Sequence, residues 1–280
     1  MNIPIALHAL RGLRWQVFWY GLGLALYAGL MLGLFPAFED TLGGVEYPAE
    51  LLAFFGAAGD LADPRVFLQV EYFSFAPIIM AIYGIVAGTG LLAGDEGRRT
   101  LEPLLAQPVS RSAVFISRAV ALLAGLLLIA GINLLGWAAS VPFVDIDDLD
   151  LATLIGATFA AVPMVEAFSG IALLIAAISP SRGAAGGIAA AITIASYLVA
   201  SFAQVVEPIA WAKWLSPYYY SDSHQLLTEG VVWWHQGVLV ALGATSMALA
   251  WLAFRGREID AGVWQPRAIA RGWSDVAGRR

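Results

Sequence analysis

The chain of 280 residues has no cysteine and a single lysine, and only 13% of its residues are charged. The missing cysteine excludes disulfides and thiolate sites but says nothing of compartment. The one lysine, Lys213, lies in Trp-Ala-Lys-Trp, and no G-x-x-x-x-G-K-[ST] phosphate loop occurs, so the chain by itself is not expected to hydrolyse ATP. Histidine is scarce too. His8, His224 and His235 do not pair with one another or with acids at the helical spacing a metal needs, so no metal site is expected. Ser169-Gly170 lacks the Gly-x-Ser-x-Gly frame, and no catalytic residue is expected. A charged fraction so far below the ~25% of soluble domains excludes a soluble enzyme, a nucleic-acid binder and a secreted module.

What the chain does have is apolar length, with 60% hydrophobic residues. Stretches free of Asp, Glu, Lys and Arg run over 15–38, 72–94, 119–144, 183–206 and 230–254, and a sixth, 151–181, is interrupted only by Glu166. Each is long enough to cross a bilayer, which takes ~20 residues of helix. The expected fold is therefore an all-α membrane protein of six transmembrane helices with short interfacial and connecting helices. The spans are placed at about 15–37, 73–94, 113–140, 152–178, 183–206 and 231–254, inside one membrane domain over 15–254. The first apolar run is too long for a signal-peptide core and ends in Phe35-Pro36-Ala37-Phe38, which is no cleavage site, so it reads as a retained anchor.

Charge sets the orientation. Thirteen of the 15 basic residues fall on the N-terminus, the 95–118 connection, the turn at 182 and the C-terminal tail, leaving Arg65 and Lys213 for the other side. The positive-inside bias then puts both termini in the cytoplasm, with the chain multi-pass in the cytoplasmic (inner) membrane of the cell. Residues 1–14 carry Ile3, Leu7, Leu10 and Arg14 on one stripe behind Asn2 and Pro4, and read as an amphipathic helix lying on the inner leaflet. Residues 255–280 form a basic cytoplasmic tail. Glu50 to Phe55 reads as a short interfacial helix, and Trp211, Trp214 and Tyr218 to Tyr220 as an aromatic belt at the outer face. Small residues four apart, which allow close helix crossings, stand at Gly29 and Gly33, Gly84 and Gly88, and Gly183 and Gly187.

The connection between the second and third spans carries the most pattern. Thr100 can cap a short helix in which Glu102 meets the positive end of the dipole and Pro103 occupies the first turn. Leu101, Leu104 and Leu105 then share one face, Pro108 stops the helix, and Ser110 can cap the third span. Such a face rests on a partner, on the membrane surface or on the chain's own helices. The stretch from Gly94 to Arg111 resembles the signature loop of ABC-2 type transporter permeases, the membrane subunits of ATP-binding-cassette exporters, which read G-E-x-E-x-G-T-L-E-L-L-L-x-x-P-V-S-R. Gly94, Asp95, Thr100, Leu101, Glu102, Leu104, Leu105, Pro108, Val109, Ser110 and Arg111 fit; Gly97, Arg99 and Pro103 depart from it. Gly56 to Ser74, Leu215 to Tyr220 and Phe254 to Ile259 resemble the same family.

The resemblance implies a permease subunit of an exporter, moving substrate by ATP hydrolysis on a separate nucleotide-binding subunit that holds the ATP and Mg. Loop 95–111 would dock on that ATPase, with Asp95, Glu96, Arg98, Arg99, Thr100, Leu101, Glu102, Leu104, Leu105, Pro108 and Arg111 as coupling residues. A second permease, a copy or a paralogue, would complete the dimer among the membrane lipids.

Two polar residues lie inside the apolar runs. Glu166, in the fourth, is costly in hydrocarbon, so it marks either a substrate pathway or a hydrogen bond between helices. It also supports an alternative function, an ion-coupled secondary transporter. Asn133, in the third, reads as a bond between helices or as a substrate contact. Arg118 is expected to snorkel to the headgroups.

Overall fold

The computed structural model describes residues 1–42, 45, 47–94, 109–144, 149–179, 181–221, 227 and 230–256, and among them all regular structure is helical. Six helical runs are long and apolar enough to cross a membrane: Ile3–Glu39, Pro64–Leu92, Arg111–Phe143, Leu151–Ile178, Arg182–Val205 and Trp233–Gly256. The architecture is the expected all-helical one with six long apolar helices.

The helix starts follow from local chemistry. Helix α1, Ile3–Leu42, begins where the Asn2 side chain accepts from the Ile5 N–H at 3.3 Å. It runs without a break past residue 14, so the N-terminal stripe and the first span are one element. Helix α2, Ala49–Phe54, is the short helix expected before the second span. That span begins eight residues ahead of the charge-free run, at Pro64. Asp63 accepts from the Arg65 N–H at 2.8 Å and Pro64 occupies the first turn of α3, Pro64–Leu68, two strong start signals that outweigh the charges of Arg65 and Glu71. The span then passes through a π-helical turn at Gln69–Phe73, continues as α4, Ala76–Thr89, and ends in a second π-helical turn at Gly90–Gly94.

Ser110 caps α5, Arg111–Ser140, by accepting from the Ala113 N–H at 3.1 Å. Asp150 caps α6, Leu151–Ala160, and hydrogen bonds from Thr153 hold its carboxyl below the usual carboxylate range. The fourth span is broken at Ala161. Pro163, which lacks an N–H, sits in the first turn of α7, Val162–Ile178, where no intrahelical partner is needed. Ser181 caps α8, Arg182–Val205, and the last span is α9, Trp233–Gly256.

The second, third and fourth spans form the interior: 61–67% of their apolar stretches is buried, against 28–33% for the first, fifth and sixth. Backbones approach most closely where glycine meets a neighbouring helix. A Cβ on Gly136 of α5 would stand 2.5 Å from the Ala25 carbonyl oxygen of α1. One on Gly170 of α7 would stand 2.8 Å from the Gly243 carbonyl oxygen of α9. Of the three glycine pairs singled out in sequence, Gly84 and Gly88 lie in a crossing, against Ser169, Ala172 and Leu173 of α7. Gly29 meets Ser140, whereas Gly33, Gly183 and Gly187 face open space.

Candidate functional site

The expected coupling residues Asp95, Glu96, Arg98, Arg99, Thr100, Leu101, Glu102, Leu104, Leu105 and Pro108 lie outside the described residues, as does the tail from 257. What the structure describes is the frame from which that connection leaves and to which it returns. The chain departs through the π-helical turn Gly90–Gly94. A helix end leaves carbonyls without intrahelical donors and carries partial negative charge. Two guanidiniums reach this end: Arg118 of α5 donates to the Leu91 carbonyl at 2.6 Å, and Arg182 of α8 donates at 3.3 Å to the Val86 carbonyl, which also accepts from the Gly90 N–H within the helix. Arg118 is 5% exposed. The expectation that it snorkels to the headgroups is therefore corrected: the carbonyls of the π-helical turn draw it inward.

The chain returns at Val109, which packs on the core, and Arg111 opens α5. The first turns of α5 are tied on two sides. Ser117 accepts from the Asn2 N–H at 2.8 Å and donates to the Asn2 carbonyl at 3.0 Å, fixing the start of α1. Ser112 accepts from the Trp251 indole N–H at 3.1 Å, fixing the end of α9, where the Arg255 guanidinium lies 4.8 Å from the Trp251 ring. Five helices thus converge by polar contacts on one end of the bundle, around both ends of the 95–108 connection.

The two polar residues inside the spans are placed differently. Asn133 is buried on α5, and its carbonyl accepts from the Tyr72 hydroxyl of the second span at 2.8 Å, beside the Tyr72 and Trp137 rings 4.7 Å apart. Glu166 is half-buried on α7. Its carboxyl stands 3.1 Å from where a Cβ on Gly243 would be, and it has no hydrogen-bond partner among the described residues. The structure does not bring Glu166 and Asn133 together.

Sequence reasoning missed several contributors. Tyr72 looks like one apolar-span aromatic among many, and Gly243 matters only because Glu166 arrives opposite it. Gln236 is 7% exposed on α9, with both amide atoms unpaired among the described residues. Its signal was the buried stripe Gln236, Leu239, Gly243, Ser246 and Ala250 at helical spacing.

At the opposite end the aromatic belt is assembled: the Trp214 and Trp234 rings stack at 6.4 Å, and the Lys213 ammonium lies 5.3 Å from the Trp214 centroid. Tyr218 donates to the Ser74 carbonyl at 2.5 Å and binds the belt to the second span.

Six helices long and apolar enough to cross a bilayer define a multi-pass membrane protein. Residues 1–255 match the family model described as multidrug efflux system permease Rv1217c, C-terminal domain, and the chain belongs to that efflux-permease family. No individually curated protein matches it.

Proposed function

We propose that the chain is the membrane-spanning permease subunit of an ATP-driven exporter of the ABC-2 type, resident in the cytoplasmic membrane with both termini on the cytoplasmic side. ATP and Mg belong to a separate nucleotide-binding subunit, and this chain supplies no catalytic group. Loop 95–111 docks on that subunit through Leu101, Leu104 and Leu105, and a second permease, identical or related, completes the transporter. The substrates are those the family name points to, structurally diverse drugs.

The family match over residues 1–255 supports an efflux permease, and the resemblance of Gly94 to Arg111 to the signature loop is the observation that carries the ABC-2 type and the ATP coupling. The clamped frame around the ends of 95–108 supports it further, because a loop that transmits force needs rigid attachments. Leu101→Asp or Leu104→Asp is expected to abolish substrate-stimulated ATP hydrolysis in the complex while membrane insertion stays at the wild-type level. Unchanged stimulation in both variants would overturn the coupling role.

A second reading, ion-coupled transport through Glu166, is favoured by one observation, a half-buried carboxyl within a span, opposite Gly243, without a partner among the described residues. Transport that persists without any ATPase subunit and disappears in Glu166→Gln would replace the first reading.

A further inference from the structure

A cleft of about 550 Å³ opens between the first turns of α1 and the carbonyl end of α4. Its walls are mostly apolar, and three features set it apart from a packing defect. Both guanidiniums at the end of α4, Arg118 and Arg182, line it, with His8 on the α1 side, and none of its lining residues is acidic among the described residues. Gln16 of α1, also in the lining, has a buried side-chain oxygen that accepts no hydrogen bond among the described residues. Finally, the outer surface of α1 beside the cleft is that of a helix lying against lipid, with Ile3, Leu7 and Trp15 exposed and the Arg14 guanidinium 5.8 Å from the Trp15 ring.

We infer that this cleft binds the phosphate head of an anionic membrane lipid, taken from the leaflet that meets the first turns of α1. Arg182 carries the charge argument. Its guanidinium has five donors and, among the described residues, spends one of them on a neutral carbonyl, Val86. A guanidinium in an apolar-walled cleft at a membrane edge gains from an anion in contact, and phosphate matches its fork. Arg118, fixed on the Leu91 carbonyl, adds a second positive group to the same wall. The Gln16 oxygen fits a hydroxyl or ammonium donor of the head, and the apolar walls accept the first carbons of the chains. The volume is within the ~300–1,000 Å³ of small-molecule sites, enough for a headgroup and too small for whole acyl chains, which would lie along α1. The inference needs the membrane-spanning fold and none of the ATP coupling, so it stands or falls separately from the exporter reading.

The full chain, purified in neutral detergent and stripped of lipid, is titrated with phosphatidylglycerol or phosphatidylcholine, and bound lipid is counted by native mass spectrometry. One phosphatidylglycerol per chain should be retained about tenfold more tightly than phosphatidylcholine, the effect of one charge-assisted pair. Arg182→Gln should erase the preference and Arg182→Lys keep part of it. Gly12 lines the cleft, and a Cβ there meets nothing within 4 Å, so Gly12→Phe fills the site from α1 without straining the helix packing. It should abolish retention while the circular dichroism spectrum is unchanged, which decides the matter if Arg182→Gln fails to fold. Equal retention of the two lipids, or wild-type retention in Gly12→Phe, overturns the inference. Displacement of bound lipid by inorganic phosphate at equal concentration overturns the lipid as its source.

Discussion

At the scale of single residues, the side chains that decide most are polar ones enclosed by apolar neighbours. The Tyr72 hydroxyl and the Asn133 carbonyl satisfy each other between the second and third spans. Tyr72→Phe leaves the Asn133 oxygen buried without that donor, and should lower stability by about 0.6–2 kcal/mol, the measured range for such bonds in membranes. A thermal melt of the purified chain in detergent checks it, and an unchanged midpoint would mean that water replaces the hydroxyl. Residue-scale features were legible in sequence where the chemistry is local. Asn2 and Ser110 were readable as caps because the capping atom lies within three residues of the donor it serves. Arg118 was not, because its partner, Leu91, is 27 residues away on a turn whose π-helical geometry no short pattern announces. Sequence could show that Asn133 and Glu166 lay within apolar runs, but not which had a partner.

At the scale of elements, the charge-free runs gave the existence of the six spans but not their ends. Asp63-Pro64 started the second span early, and Pro163 split the fourth, because capping and a missing N–H act on the backbone while a charge count sees only side chains. Glycine shows a related limit. Spacing within one helix says where a neighbour could approach, and the approach itself depends on a helix distant in sequence. So Gly136 and Gly170, outside the pairs singled out, sit closest to the backbone of a neighbouring helix, while a Cβ on Gly183 or Gly187 would meet nothing within 4 Å among the described residues. The matched test lies within α5. Gly136→Ala would place its Cβ 2.5 Å from the Ala25 carbonyl oxygen and should cost about 1–3 kcal/mol by overpacking. Gly131→Ala, with nothing within 4 Å, should be neutral or stabilising by about 0.5–1 kcal/mol through its higher helix propensity. Equal melting temperatures for the two would show that α1 and α5 are not in close contact.

At the scale of the molecule, the end of the bundle around the 95–108 connection is a clamp made of contacts between residues more than 20 positions apart, with Asn2 and Ser117 separated by 115 and Ser112 and Trp251 by 139. No sequence pattern could join them. Trp251→Phe removes the indole N–H and keeps a ring under Arg255. If the clamp transmits force as proposed, substrate-stimulated ATP hydrolysis in the assembled complex should fall about fivefold, the equivalent of one ~1 kcal/mol hydrogen bond, with insertion unaffected. Stimulation at the wild-type level would separate the clamp from coupling.

The interior crossings carry one more implication. Where α4 meets α7, where α5 meets Tyr83 and where α7 meets α9, the glycine sites have no room for even one added methyl group without something moving. A traveller of any size is shut out at those points. On the proposed dimeric reading, a route for substrate would therefore run along the flank of this chain, between it and its partner, and not through those crossings.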